Sequence, residues 1–347
     1  MKVIFRVDAS LKMGTGHVMR CLTLAQTLKE NGTNVKFICR RHEGSLIDKI
    51  RSNGFDVHAL EVSEEIETDN KLVHSHWLGA TQQQDSDECI DVLSSEGVDW
   101  LIVDHYALDE DWHCNLKPYY RKLMVIDDLA DRKFDCDLML NQNLDAQPED
   151  YKNKVTGKCK FLLGCDYTLL RTEFSELRER ALEKRKTTKK IKNILISVGG
   201  SDVHNKTYDI LQKIDDDLNT VVILGSLSPH NKMINNYAKD KNIKVIIDAD
   251  NMAELMFEAD LAIGAGGSTS WERCCLGLPT LLYITAENQR MVAENLEKKS
   301  AVVMVKNLKD DLKMIINNLA FWKAISKQSQ LVCDGMGVKK VQEFLIK

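Results

Sequence analysis

Gly14-Thr15-Gly16-His17 joins a turn former to an ionisable side chain, and the run behind it is amphipathic. Val18, Cys21, Leu22, Ala25 and Leu28 fall on one helical face. The spacing therefore predicts a helix whose first turn carries His17, among N–H groups without intrahelical partners and at the positive end of the helix dipole. That position disfavours imidazolium and favours the neutral imidazole that a general base needs. Lys2–Asp8 ahead of it reads as a strand, so the histidine stands on a rigid strand–turn–helix support. Taken alone, Gly14 and Gly16 indicate only the tight turn of a βαβ unit.

A second set of polar groups lies in the C-terminal half. Gly264-Ala265-Gly266-Gly267-Ser268-Thr269-Ser270 follows an apolar strand and opens a helix that carries Glu272. Such a turn exposes backbone N–H groups, so Gly267, Ser268 and Thr269 suit a phosphate or diphosphate. Glu272 is placed to accept hydrogen bonds from ribose hydroxyls; its plain alternative is a carboxylate favoured by the helix start. Gly199-Gly200-Ser201-Asp202 is another glycine turn, and Asn288-Gln289 offers neutral polar groups for a sugar or phosphate. In the N-terminal half, strand ends lead to His105-Tyr106, Asp127-Asp128 and Asn141-Gln142-Asn143. Arg20, three residues after His17, is expected to pair with Asp8, Asp104 or another strand-end carboxylate, or to touch a diphosphate. Asp8 is also a candidate for holding His17.

Other signals are discounted. His74-Ser75-His76 lacks a third ligand at a diagnostic spacing. Asp135-Cys136-Asp137 and Asp248-Ala249-Asp250 match a metal-binding Asp-x-Asp, but the pattern is cheap among 52 acidic residues, and turn or cap roles are expected. Gly199-Gly200 lacks the dinucleotide fingerprint, and no nucleoside-triphosphatase loop is present. Cys274-Cys275 read as buried helix positions rather than nucleophiles.

The elements that must carry these groups are short apolar runs separated by helical segments. Strands are expected near Val3–Val7, Val35–Cys39, Trp100–Asp104, Leu123–Ile126, Leu138–Asn141 and Phe161–Leu163, then Ile194–Val198, Thr220–Leu224, Lys244–Ile247, Leu261–Gly264, Thr280–Ile284 and Val302–Val305. Their continuous apolar character fits strands buried on both faces of a parallel sheet. The expected fold is α/β, with two Rossmann-like, doubly wound domains facing a central cleft. The domains are read as 1–175, carrying the base, and 193–335, binding the ligand. A charged linker spans 176–192, its run from Lys184 to Lys190 read as a solvated helix end plus an interdomain connection, and a helix over 336–347 either packs back on the first domain or ends the second. With 347 residues, 44% hydrophobic and 29% charged, the chain is long enough for two cores. A net charge of −5 without a basic stripe argues against nucleic acid. No run is long enough to span a bilayer, and no signal-peptide pattern opens the chain. The ten scattered cysteines read as reduced thiols of a cytoplasmic protein.

Phe5-Arg6-Val7-Asp8-Ala9-Ser10 with Gly14-x-Gly16-His17-x-x-Arg20-Cys21-Leu22, then Trp77-Leu78-Gly79, Val103-Asp104-His105-Tyr106 and Ile126-Asp127-Asp128, resemble the hydrolases of pseudaminic acid biosynthesis. The most specific stretch is Gly264 through Pro279, continued by Ala286-Glu287-Asn288-Gln289-Arg290. The resemblance covers nearly the whole chain and fades in the linker and the C-terminal tail. It implies a GT-B-like fold, related to the peptidoglycan N-acetylglucosaminyltransferase, and removal of UDP from UDP-2,4-diacetamido-2,4,6-trideoxy-β-L-altropyranose. It further implies His17 as catalytic base and Tyr106 in the active site. Gly14, Gly16, Arg20, Gly199, Gly200, Met252, Gly267, Ser268, Thr269, Glu272, Asn288 and Gln289 are expected to bind substrate, with Asp250-Asn251-Met252 near uracil. Water would attack the anomeric carbon with inversion, without metal or cofactor. The partners expected are the UDP-sugar and water alone, with no nucleic acid and no stable membrane association, in a monomer or weak homo-oligomer. The alternatives are a GT-B transferase using a UDP-sugar donor and a non-catalytic nucleotide-sugar binder, the latter expected to lack His17.

Overall fold

The computed structural model describes residues 1–63, 71–200, 202–226 and 228–346, and for Asn288 the backbone alone. The chain divides into two compact units: unit 1, Met1–Leu169 with Met336–Lys347, and unit 2, Leu170–Gly335.

Unit 1 runs β1 (Lys2–Val7), α1 (Gly16–Glu30), β2 (Asn34–Arg40), α2 (Ile47–Ser52), β3 (Asp56–Leu60), α3 (Gln82–Leu93), β4 (Val98–Asp104), α4 (Glu110–Leu116), β5 (Tyr120–Ile126), β6 (Phe134–Asp135), β7 (Leu138–Asn141), β8 (Val155–Thr156) and β9 (Lys160–Leu163). Seven strands pair in the order β3-β2-β1-β4-β5-β7-β9, every ladder parallel. Alternation along β1 explains the two cores: Val3, Phe5 and Val7 join one apolar cluster, and Ile4 joins the other. The strand order reverses between β1 and β4. A crevice opens outside the carboxyl ends of strands at such a point, so the residues after Val7 and Asp104 are the ones to inspect.

Unit 2 runs α5 (Thr172–Thr187), β10 (Asn193–Ser197), α6 (Lys206–Leu211), β11 (Asn219–Leu224), α7 (Asn231–Ala238), β12 (Ile243–Ile247), α8 (Met252–Glu258), β13 (Leu261–Ala265), α9 (Thr269–Cys275), β14 (Thr280–Tyr283), α10 (Arg290–Lys298), β15 (Val303–Met304), α11 (Leu308–Asn317) and α12 (Leu319–Ser329). Its six parallel strands follow the order β12-β11-β10-β13-β14-β15, reversing between β10 and β13. One core, with Ile196, Ile263, Leu281 and Trp322, fills it.

The charged run read as a linker over 176–192 is mostly helix. α5 buries Phe174 and Ala181, and Arg185 is only 2% exposed. Arg185 donates to the carbonyls of Ala259 and Met256 at 2.5 and 2.8 Å, and Arg178 to those of Cys333 and Gln330 at 2.9 and 2.8 Å. Long cationic side chains thus cap carbonyls at helix ends while their stems cover apolar surface, which a count of apolar residues overlooks. The edge strand β3, not foreseen, pairs with β2 from Lys36↔Asp56 to Arg40↔Leu60. No helix among the described residues is long and apolar enough to cross a membrane.

The last helix, α13 (Gly337–Ile346), belongs to unit 1. Val338, Val341 and Leu345 enter the cluster that holds Val3 and Phe5, and Trp100 Nε1 donates to the Leu345 carbonyl at 2.9 Å. Leu345 is 2% exposed, so Leu345→Ala is expected to destabilise unit 1 by about 2–5 kcal/mol in urea unfolding. A loss below about 0.5 kcal/mol, the scale of a surface substitution, would contradict the packing of α13.

Candidate active site

Gly14 adopts φ +80° and closes a bridge with Ser10, its N–H donating to the Ser10 carbonyl at 2.8 Å. Only glycine takes that φ without strain, and the turn delivers the chain into α1 at Gly16. His17 Nδ1 then meets Asp104 Oδ1 at 2.6 Å. Arg20, one turn on, donates from Nε to Asp104 Oδ2 at 2.6 Å and from Nη2 to Oδ1 at 2.7 Å. Its Nη1 reaches Asp128 Oδ2, also at 2.6 Å, and the Tyr106 hydroxyl donates to that same oxygen at 2.6 Å. Arg20 is thus held by two carboxylates.

Arg20 and His17 hold Asp104 far below the usual carboxylate range against the opposing effect of burial. Burial and Asp128 push the Tyr106 phenol well up, so it stays protonated and donating. Burial also pushes the neighbouring Cys21 thiol up, which leaves it no nucleophile.

Aromatic rings line the same place. The His17 and Tyr106 rings meet edge-on with centroids 4.6 Å apart, Trp77 stacks on Tyr106 at 5.7 Å, and His74 lies 4.4 Å from Trp77. His74 is therefore part of an aromatic platform. Among the described residues, no group of three or more His, Cys, Asp or Glu is arranged to hold a metal ion.

Several expectations are corrected. Asp8 does not hold His17: its Oδ1 takes Arg6 at 2.7 Å and the Arg40 N–H at 2.6 Å, and its Oδ2 lies 3.3 Å from His105 Nε2. The preceding strand points Asp8 into a separate buried network. The orientation and tautomer of His17 are set by Asp104 rather than by the helix end alone. Arg20 takes Asp104, one of the partners expected for it, and Asp128, a carboxylate just past a strand end; that Asp104 also holds His17 was not read from the sequence.

In unit 2, the turn after β13 is tightly built. A Cβ at Gly264 would come within 2.6 Å of Arg273 and 2.7 Å of the Ser197 carbonyl, so only glycine fits. Arg273 ties the turn together, donating to the Ala265 carbonyl at 2.7 Å, Ser270 Oγ at 3.0 Å and Thr269 Oγ1 at 3.2 Å. The Ser270 and Trp271 N–H groups close the first turn on the Gly267 and Ser268 carbonyls, so the N–H groups of Gly267, Ser268 and Thr269 stand ahead of the helical ladder. After β10, Gly199 takes φ +118°, and the Gly200 backbone passes so close to Gly225 that a Cβ at Gly225 would collide with it.

Glu272 keeps only 17% exposure, with Arg171 at 3.9 Å. Burial pushes its carboxyl up to about 7, only partly opposed by Arg171 and Arg273. The Met252 side chain is buried at the start of α8, and the Asp250 carbonyl accepts from Arg171 at 3.1 Å. Gln289 folds onto its own loop, where Oε1 accepts from Thr285 N and Oγ1 at 3.1 and 3.0 Å. That oxygen is satisfied within the protein. Ser201 and the Asn288 side chain lie outside the described residues.

Two measurements follow. Asp104→Asn leaves Arg20 buried beside a neutral amide, and a loss of about 3–5 kcal/mol is expected in chemical denaturation at neutral pH. The stability that Asp104 contributes is present above its unfolded value, near pH 4, and disappears as pH falls toward its depressed folded value. The difference between the two proteins should therefore shrink in acid. For Glu272 the sign is opposite: its raised value lets stability fall as pH rises from about 4.5 through about 7. Glu272→Gln should raise the unfolding midpoint at pH 8, by the equivalent of about 1–3 kcal/mol, and leave it unchanged at pH 4. An equal effect at both pH values would contradict this.

Comparison with known proteins places this geometry in context. The glycosyltransferase family 28 C-terminal domain matches residues 172–322. Among solved structures, MurG of Acinetobacter baumannii superposes with a TM-score of 0.67 at 14% identity, covering 99% of each chain, so the fold is GT-B-like. An uncharacterised protein of Methanocaldococcus jannaschii, MJ1062, is 29% identical over 89% of this chain, which spans 61% of that protein's length. The UDP-2,4-diacetamido-2,4,6-trideoxy-β-L-altropyranose hydrolase of Campylobacter jejuni is 30% identical over 88% of this chain and 100% of its own. On that likeness across the full length of the relative, the chain belongs to the family of the UDP-2,4-diacetamido-2,4,6-trideoxy-β-L-altropyranose hydrolases.

Proposed function

We propose that this chain hydrolyses UDP-2,4-diacetamido-2,4,6-trideoxy-β-L-altropyranose to UDP and the free sugar. The observation that carries the reading is the 2.6 Å contact between His17 Nδ1 and the buried Asp104 carboxylate. With Nδ1–H donated to Asp104, Nε2 keeps its lone pair and is the proton acceptor. The identity to the Campylobacter jejuni hydrolase supports the choice of substrate.

In this mechanism His17 Nε2 takes a proton from water as the water oxygen attacks the anomeric carbon. The bond from that carbon to the diphosphate oxygen breaks, and UDP leaves with the electron pair from the opposite face, so the anomeric centre inverts. Unit 2 holds the nucleotide, with the Gly267, Ser268 and Thr269 N–H groups at the diphosphate and Glu272 at the ribose hydroxyls. Those N–H groups meet the charge that develops on the departing oxygen, and no step is assigned to a metal. Tyr106, fixed by Asp128, and the Trp77 face orient the sugar, whose acetamido methyl and apolar ring face suit an aromatic surface. Arg20 is assigned to positioning: both its carboxylate partners belong to the protein. Buried free thiols such as Cys21, Cys39 and Cys89 support a cytoplasmic enzyme.

A transferase reading is favoured by one finding, the family 28 match over residues 172–322. Phosphorus and proton NMR of the UDP-sugar in water, without an acceptor, separates the two. The expected result is UDP and free sugar with the inverted anomer appearing first, at a rate about 10²–10⁴-fold lower in His17→Ala. An intact UDP-sugar with the unsubstituted protein would reject hydrolysis and turn the search to acceptors.

A further inference from the structure

The proposed reaction leaves a pair of thiols in unit 1 without a role. Cys136 and Cys159 lie with Sγ atoms 3.5 Å apart, although 23 residues separate them. Both are anchored by strand pairing on either side. Cys136 links β6 to β7 and Cys159 immediately precedes β9, while β7 pairs with β9 at Leu138↔Lys160 and β6 pairs with β8 at Phe134↔Val155. A disulfide bond of about 2.05 Å would need the sulfurs to approach by only about 1.5 Å, a shift within reach of side-chain rotation.

The two thiols differ in a way that assigns an order of reaction. Cys159 lines a surface pocket of about 430 Å³, together with Tyr151, Gly157 and Phe161, whereas Cys136 is buried. A reagent in the pocket therefore meets Cys159 first, and Cys136 lies behind it as the second thiol. The contact with Cys159, together with burial, pushes the Cys136 thiol well up. Cys275 and Cys333 also hydrogen-bond one another, but they are 0% and 2% exposed and closed to a reagent.

We propose that Cys136 and Cys159 form a reversible disulfide site, closed by a small disulfide such as oxidised glutathione entering the pocket beside Cys159. The Cys159 thiolate attacks one glutathione sulfur, forming a mixed disulfide and releasing one glutathione thiolate. Cys136 gives its proton to water and attacks Cys159 Sγ, expelling the second glutathione thiolate. Two protein thiols are oxidised to one disulfide, and one glutathione disulfide is reduced to two thiols. The inference does not depend on which sugar nucleotide the protein uses.

The test is to incubate the full chain with oxidised glutathione, alkylate the remaining thiols, and map peptides by mass spectrometry without reduction. The expected product is a Cys136–Cys159 cross-linked peptide that dithiothreitol releases. Cys136→Ser, with Cys136→Ala as a second variant, should stop at glutathione on Cys159, and Cys159→Ser should leave Cys136 unmodified. Exposed Cys114 gauges the oxidant in the same sample. Glutathione on Cys114 with no Cys136–Cys159 cross-link, or glutathione retained on Cys159 in the unsubstituted chain, would overturn the proposal.

Discussion

The buried carboxylate of Asp104 is the constraint on which the N-terminal unit depends. It ends β4 opposite Val7 in the central ladder, and both its oxygens are committed to α1: Oδ1 to His17 and Arg20, Oδ2 to Arg20 and Cys21. A carboxylate removed from water is tolerable only with such partners. The first turn of α1 is therefore fixed in rotation as well as in place, because residues 17, 20 and 21 must all face one side chain. The register of two parallel strands thus aims an imidazole. Through Arg20 the constraint extends to Asp128, and through Asp128 to the Tyr106 hydroxyl.

A second buried ionic network lies around β1. Arg6 pairs with Asp8 and Asp85, and Arg40 reaches Asp85 and Glu88 at 2.8 and 2.6 Å. Trp112 Nε1 also donates to Asp85, at 3.0 Å. The arginines hold Asp85 below the usual range despite complete burial. Such a network is weak evidence for stability, since its desolvation cost is large. Its geometric effect is plainer: it joins β1, β2, α3 and α4, all of which underlie the loops around the aromatic platform. Unit 2 solves a different problem. There Arg273 binds a glycine turn from beneath, and Glu272 is left with little water and with Arg171 no nearer than 3.9 Å.

Much of this was legible in the sequence because strands buried on both faces are continuous apolar runs. Leu138–Asn141 was foreseen to the residue, and the strands around Val3, Trp100 and Leu261 to within two. The glycine turns were legible because positive φ and close approach leave few other residues possible. Pairing was not. Asp8 and Asp104 are both carboxylates at the carboxyl end of a strand, and only the three-dimensional register decides which one meets His17. Asp56–Leu60, with polar residues at an open edge, lacks the apolar run that marked the other strands. α5 was read only as a solvated helix end for the opposite reason: Arg178 and Arg185 seek carbonyls, not solvent, so their charge did not signify exposure.

The return of α13 to the first sheet makes unit 2 an insertion within unit 1 rather than a domain appended to it. On the ribosome, residues 1–169 emerge first, but the apolar surface that Val338, Val341 and Leu345 cover stays open while the 166 residues of Leu170–Gly335 are synthesised. Unit 2 is contiguous and is free to fold as it emerges; unit 1 must wait. The order of completion during translation is therefore the reverse of the order in the gene, and the nascent N-terminal unit carries an exposed apolar groove for longest, which makes it the part of the chain most in need of a chaperone.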